Sequence, residues 1–522
     1  MISWTRLAAE VAVVALLCMP AGTAVGRRVP LEPTRPDGVT EMAYAATADG
    51  GSAEVIVLLN DQADLRALPS GQASESRAHD VVEALRRTAD ASQAPLRSWL
   101  DRRGVPYRSF YIVNALLLEA DRAMLLSLAH RPEVAQVMAN PRVRVPLPSD
   151  ELAGASGAAS GLQSTDSTPW GIDRIRAPQV WALGYHGEGV VVAGQDTGYD
   201  WDHPALKAQY AGWDGATADH DYHWHDAIHA GGGACGPDSA EPCDDHGHGT
   251  HTMGTIVGED GSDHQIGVAP GARWIGCRNM DQGVGTPASY AECFEFFLAP
   301  YPVGGDPPQG DTDRAPHVIN NSWSCPPSEG CDAGGEPNNI DILEQVVNTV
   351  RAAGILVVSS AGNAGPACAT VSAPPGMFDG AFTIGATGSD PADTIASFSS
   401  RGTGTALLKP DLAAPGVSVL SSVQGGGYGT KSGTSMAAPH VAGAAALLWS
   451  ARPDLRREVT MTEMLLAFTA VDRTSNQCGD EATAVPNSVY GWGRLDALAG
   501  VQAAVDGPAM VYFPFISNGA VR

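Results

Sequence analysis

Gly433-Thr-Ser-Met-Ala-Ala-Pro-His-Val-Ala-Gly-Ala-Ala-Ala-Leu-Leu-Trp449 decides how this 522-residue chain is read. From Met436 to Trp449 it carries no charged residue, and its one proline, Pro439, stands near the start. The run predicts a buried helix over 435–450 with Ser435 in the first turn, where N–H groups lack intrahelical partners and proline is tolerated. A hydroxyl there sits among free donors at the positive end of the helix dipole. That place suits an anion forming on an attacked carbonyl, so Ser435 is a candidate nucleophile.

A nucleophilic serine needs a base, and the base needs an orienting acid. Glu188-Gly-Val-Val-Val-Ala-Gly194 reads as a strand, and Asp196-Thr-Gly-Tyr-Asp200 follows at its carboxyl end, where open α/β sheets build their sites. Asp244-Asp-His-Gly-His-Gly-Thr-His-Thr-Met-Gly254 brings His246, His248 and His251 to the glycine-rich start of another small, apolar helix. Each block alone has a plainer reading: a turn aspartate, a zinc-binding histidine group, a helix N-cap. Together, in the order Asp196, His248, Ser435, they resemble the subtilisin-like (subtilase) serine proteases, from about Trp170 to Val505.

The resemblance implies roles. Asp196 would hold His248 in the useful tautomer. His248 would take the proton of Ser435 and pass it to the leaving amine, and water would then hydrolyse an acyl-enzyme on Ser435. Asn363, in Ala361-Gly-Asn-Ala-Gly365 after a buried strand, would complete an oxyanion hole with the backbone N–H of Ser435. Activity should fall as pH drops through about 6.5–7, where an ordinary histidine gains its proton.

Val318-Ile-Asn-Asn-Ser-Trp-Ser324 is similar to the family's edge strand, which pairs with an extended polypeptide substrate. Ser322, Trp323 and Ser324 would form one wall of the S1 pocket, Ser359 to Gly362 (with Ser360 and Gly362) the other, and Gly376 would open it. Trp323 replaces a smaller aliphatic residue and should narrow the S4 region. No acidic residue stands at the aligned pocket positions, so a medium apolar or aromatic P1 side chain is expected rather than Arg or Lys. The chemistry requires no cofactor. Ala205 and the short loop Gly258–Gln265 imply loss of the family's strong calcium site. A structural calcium among Asp200, Asp202, Asp214 and Asp219 stays open. The rival from another class is a catalytically silent secreted binding protein on the same scaffold.

The expected fold is α/β: a doubly wound parallel sheet over 169–506, preceded by a small ferredoxin-like α+β unit over 53–147. Its strands are expected at 188–194, 272–279, 317–321, 355–360 and 381–386. Its helices are expected at 248–257, 287–299, 338–353, 435–450 and 494–505. Stretches 207–243 and 301–316 read as insertions. The N-terminal unit reads as β-α-β-α-β with one long extended middle, 107–118. It resembles the inhibitory propeptide of subtilases, so the chain's own propeptide is expected as inhibitor and folding aid. Cleavage is expected in the Ser/Gly/Ala-rich linker 148–168.

Residues 1–24 read as a secretory signal: Arg6, an apolar core from Val11 to Met19, and Pro-Ala-Gly-Thr-Ala24. Nine apolar residues are too few to span a bilayer, so a secreted, extracellular protein free of the membrane is expected. The net charge is −26, all of it beyond residue 147, which argues against nucleic acid or anionic lipid as partners. Apart from Cys18, eight cysteines remain, an even number that suggests disulfides in an exported chain. Spacing favours Cys235–Cys243 and Cys325–Cys331. Cys277–Cys293 and Cys368–Cys478 are the remaining guesses, and a cysteine zinc cluster has no C-x-x-C pair to support it. The tail 507–522 has no assigned role.

Overall fold

The computed structural model describes residues 35–68, 74–144, 168–262, 264–331 and 337–507. The expected signal and tail lie outside the described residues, as does the linker apart from Thr168.

The N-terminal unit is built from β1 (Ser52–Leu59), β2 (Arg108–Phe110), β3 (Ala115–Asp121) and β4 (Val134–Ala139), with helices Ser74–Asp101 and Arg122–Ala129 between them. They form one antiparallel sheet ordered β2-β3-β1-β4. Residues Val55 to Leu59 are all buried, where a half-exposed strand would alternate. Val55, Val57 and Leu59 share a core with Leu96, Leu100, Leu125 and Leu128 of the unit's own helices. Ile56 and Leu58 point the other way, into a cluster with Phe294, Phe297, Ile342 and Val346 of the larger domain.

The long extended middle expected over 107–118 is broken at Tyr111–Asn114, so the order is β-α-β-β-α-β. Buried Asn114 explains the break. Its Nδ2 donates to the Asp61 carbonyl at 2.5 Å and to Ser92 Oγ at 2.6 Å, while its Oδ1 accepts from Gln93 at 2.8 Å. A buried amide satisfied this fully fixes a turn instead of a strand.

The chain then forms β5 (Val143–Arg144), β6 (Val191–Asp196), β7 (Trp224–Asp226), β8 (Arg273–Arg278), β9 (Met280–Asp281), β10 (Val284–Gly285), β11 (Val318–Asn321), β12 (Leu356–Ser360), β13 (Phe382–Thr387), β14 (Leu412–Pro415), β15 (Val419–Val423) and β16 (Gly427–Lys431). Seven of these make one parallel sheet ordered β14-β13-β12-β11-β6-β8-β7, the expected α/β architecture. Helices His248–Val257 and Thr434–Ala451 pack together on one side, and Pro287–Leu298 with Asn339–Ala352 on the other. Thr434–Trp449 is buried throughout, and Gly443 permits the close approach: a Cβ there would lie 2.5 Å from Val268 Cβ.

Three readings need correction. Asp196 is the last residue of β6 and does not follow the strand. The helix starts at Thr434, which puts Pro439 in its second turn rather than its first. The insertion 207–243 contributes a sheet strand, β7, beside β8. Four disulfides, Cys235–Cys243, Cys277–Cys293, Cys325–Cys331 and Cys368–Cys478, tie the larger domain. Among the described residues no helix is long and apolar enough to cross a membrane.

Candidate active site

The site lies at the carboxyl rim of the central strands. Gln195 of β6 sits opposite Asn321 of neighbouring β11, so Asp196 and Ser322 leave the sheet side by side. Asp196 Oδ1 accepts from the backbone N–H of Thr197 at 2.8 Å and lies 2.7 Å from His248 Nδ1. Both side chains are withdrawn from solvent, 1% and 0% exposed. A carboxylate at Nδ1 places the proton there and leaves Nε2 with its lone pair. His248 Nε2 has no hydrogen-bond partner.

Ser435 is reached through Ser322. Its Oγ donates to the Ser322 carbonyl at 3.1 Å, and Ser322 Oγ donates back to the Ser435 carbonyl at 3.0 Å. The second bond has a cause in the sequence. Pro439 has no N–H, so the carbonyl four residues earlier, that of Ser435, loses its helical partner. Ser322 takes its place. The Ser435 hydroxyl is thus turned toward Ser322 rather than His248, a resting arrangement common where catalytic hydrogen bonds form only around a substrate.

Asn363 Oδ1 accepts from both the N–H and the Oγ1 of Thr434, at 3.0 and 2.9 Å. With its oxygen committed there, the amide turns its amino group the opposite way. The neighbouring Gly362 has φ +96°, a conformation costly for other residues, and its N–H donates to Thr434 Oγ1 at 3.2 Å.

Ser324 is buried, as is Ser360 at the end of β12, and Gly376 lies against Ser360. A Cβ on Gly376 would lie 2.7 Å from the Ser360 carbonyl, and the Gly376 carbonyl accepts from Thr383 Oγ1 at 2.7 Å. Trp323 is buried and stacks on Tyr290 at 3.8 Å between ring centroids. β5 of the N-terminal segment pairs antiparallel with β10 across this region.

Two residues that the sequence reading left without a role hold the site together. Asp244 is buried and accepts five hydrogen bonds: from Thr197 Oγ1, His246 N and Gly247 N on one oxygen, and from Thr250 N and Oγ1 on the other. It therefore fastens the start of the His248 helix to the turn after Asp196. Thr434 is the other, through Asn363. Their signal was present in the sequence: an Asp at the mouth of a glycine-rich helix start, and a Thr beside the candidate nucleophile.

The three histidines do not converge on a metal. His248 faces Asp196. His251 Nε2 donates to the carbonyls of Val419 and Gly429 at 3.1 and 3.3 Å, and burial pushes its pKa down to about 3. Burial, then the neighbouring His248, also lowers His246. Asp214 caps its own turn at Ala216 and Thr217, Asp219 accepts from Asp221 N, and Asp200 accepts from Gly425 N. Among the described residues no group of three or more His, Cys, Asp or Glu could hold a metal ion.

On the far side, helix Pro287–Leu298 receives the N-terminal unit. Glu295 Oε2 accepts from the N–H groups of Tyr111 and Ile112 at 2.6 and 2.9 Å, and Glu292 pairs with Arg108, His225 and His229. Complete burial raises the Glu295 carboxyl to about 8, against the pull of those two N–H groups. Glu292 is held well below the usual carboxylate range, because its hydrogen bonds to His225 and His229 and the charge of Arg108 outweigh burial.

The profile of the Subtilase family matches residues 187–493. The chain is 36% identical to Bacillopeptidase F of Bacillus subtilis (strain 168) over 441 residues, covering 82% of this chain and 29% of that protein. It is 34% identical to Subtilisin Savinase of Lederbergia lenta over 288 residues, 55% of this chain and 86% of that one. Against Subtilisin E of Bacillus subtilis (strain 168) the identity is 31% over 356 residues, 68% of this chain and 75% of that one. The chain thus spans less than a third of Bacillopeptidase F but most of the subtilisins. Its parallel sheet agrees with this match over more than half its length: the chain belongs to the subtilase family.

Proposed function

We propose that this chain is a secreted serine endopeptidase, made as a zymogen, that hydrolyses peptide bonds through an acyl-enzyme on Ser435. The reading is carried by one observation. A buried imidazole is held at Nδ1 by a buried carboxylate and keeps an unpartnered Nε2, at the rim where Ser435 emerges. Nε2 accepts the Ser435 proton as the hydroxyl attacks the scissile carbonyl, and the tetrahedral oxyanion forms between the Ser435 N–H and the Asn363 amino group. His248 returns the proton to the leaving amine, Asp196 stabilising the imidazolium throughout. Water then repeats the cycle on the acyl-enzyme. No metal takes part.

The N-terminal unit acts as inhibitor and folding aid. Its β5 pairs antiparallel with β10, and its sheet buries Ile56 and Leu58 against the larger domain. Ser322, Trp323, Ser324, Ser360, Gly362 and Gly376 bind the acyl side of a polypeptide substrate. Export rests on the reading of residues 1–24.

A serine-reactive fluorophosphonate tests the chemistry. Labelling at Ser435, lost in Ser435→Ala and His248→Ala, is expected. An unlabelled wild-type chain would return the silent binding protein as the better reading. Ser435→Ala should also leave the precursor uncut, and its appearance at mature size in a protease-deficient host would assign processing to another enzyme.

A further inference from the structure

The strand laid on the cleft by the N-terminal segment meets a side chain as well as a strand. Val143 pairs with Gly285 and Arg144 with Val284 of β10. In an antiparallel pair, successive N–H groups face alternately toward and away from the partner strand. The Arg144 N–H is not spent on β10: it donates to Glu329 Oε2 at 2.6 Å. Glu329 ends the Pro327–Glu329 turn inside the ring closed by Cys325–Cys331. That ring follows directly on Ser322–Ser324, and Ser322 touches Ser435. An extended backbone in this place is therefore held between β10 on one edge and a carboxylate on the other.

The loop is shaped to present that carboxylate. Gly330, just after it, has φ +98°, and a Cβ there would lie 2.5 Å from Met42 Cε and 3.0 Å from Pro141 Cβ. The side chains around the bond divide the work: Val143 is buried on the cleft, whereas Arg144 projects into solvent. What Glu329 reads at Arg144 is thus the main chain. A carboxylate accepting from a backbone N–H is a charge-assisted bond, stronger than one between neutral groups.

We propose that Glu329 is a substrate-binding residue, whose carboxylate accepts the backbone N–H of an extended polypeptide at the place Arg144 takes. The inference rests on the protease reading above, with residues 143–144 standing where substrate lies. It defines a substrate class: peptides with a free N–H at that one position, which excludes proline and N-alkylated residues there. In this role Glu329 positions the acyl side of the substrate and touches no reacting atom.

An ester scan tests it. In a set of matched internally quenched peptides, each amide on the acyl side of the scissile bond is replaced in turn by an ester, which deletes one N–H donor. The wild-type chain is expected to show, at one position, a rise in KM of about tenfold with a smaller change in kcat. In Glu329→Ala the amide and ester peptides at that position should become equal, the mark of a shared interaction. Glu329→Gln keeps an accepting oxygen without the charge, so its amide-to-ester ratio should fall between the two. Because each ratio is taken within one preparation, loss of folded protein cancels. An ester effect that is the same in wild type and Glu329→Ala at every position overturns the inference while leaving the protease intact. So does a change confined to inhibition by the N-terminal unit. A wild-type chain that cleaves no peptide overturns both readings together.

Discussion

Ser322 and Ser435 exchange two hydrogen bonds, one in each direction, and the second exists because Pro439 leaves the Ser435 carbonyl without its helical donor. The proline thus opens a socket into which the hydroxyl of Ser322, just beyond the central strand β11, plugs. Ser322→Ala removes the plug and leaves that buried carbonyl unpaired. We expect a loss of about 1–3 kcal/mol in stability, read from urea unfolding of the uncut Ser435→Ala chain. An unchanged midpoint would mean that the socket is satisfied in some other way.

Asp244→Asn should be far more damaging to rate than its position, four residues before His248, suggests. An amide offers one accepting oxygen where the five donors around Asp244 need two, and its NH2 would face donors. The start of the His248 helix should loosen from the Asp196 turn. Expected is a drop in kcat of about ten- to a hundredfold with KM little changed. Equal kcat in the two forms would remove Asp244 from the positioning role given to it here.

Glu295 makes the docking of the N-terminal unit depend on pH. In the assembled chain burial raises its carboxyl to about 8; exposed, it would titrate near 4.3. The assembled state therefore binds the extra proton. Its contribution to stability is fully present below about pH 4, shrinks between the two values, and is lost as pH rises through about 8. Comparing uncut chains with and without Glu295→Gln, the wild-type advantage should decline by roughly 1 kcal/mol per pH unit over pH 5–8. A flat difference, or one growing with pH, contradicts the assignment.

Gly376→Ala should reshape the P1 pocket. The new Cβ would lie 2.7 Å from the Ser360 carbonyl, too close for either backbone to stay in place. We expect kcat/KM for peptides with a large aromatic P1 residue to fall at least tenfold more than for those with Ala at P1. A uniform loss across P1 side chains would place Gly376 outside the pocket.

How far the structure could be read from residues alone depended on whether burial showed itself as composition. The Thr434–Ala451 helix was legible because an apolar run of that length fits little else, and His248–Val257 because glycines and histidines mark its start. Asn363, Ser435, Asp196 and His248 were legible as motifs only when taken together. β14, the β15–β16 hairpin and helix Val459–Phe468 were missed. Leu412–Pro415 is short and ends in proline, and β16 carries almost no apolar residue. The hairpin did leave a trace in Gly425-Gly426, both at positive φ. Glu329 was out of reach for another reason. Its importance comes from a partner 185 residues away, at Arg144, which no local pattern records.

The Cys368–Cys478 bridge spans 110 residues, and Ser435 lies within that span. Acting as the protease proposed above, the chain would meet copies of itself, and its surface loops would be exposed to their cutting. Any single nick between the two cysteines leaves both halves covalently joined, with Asp196 and His248 on one piece and Ser435 retained by it or on the other. Damage in this stretch therefore stays hidden on a non-reducing gel and is revealed as fragments only after the bridge is reduced.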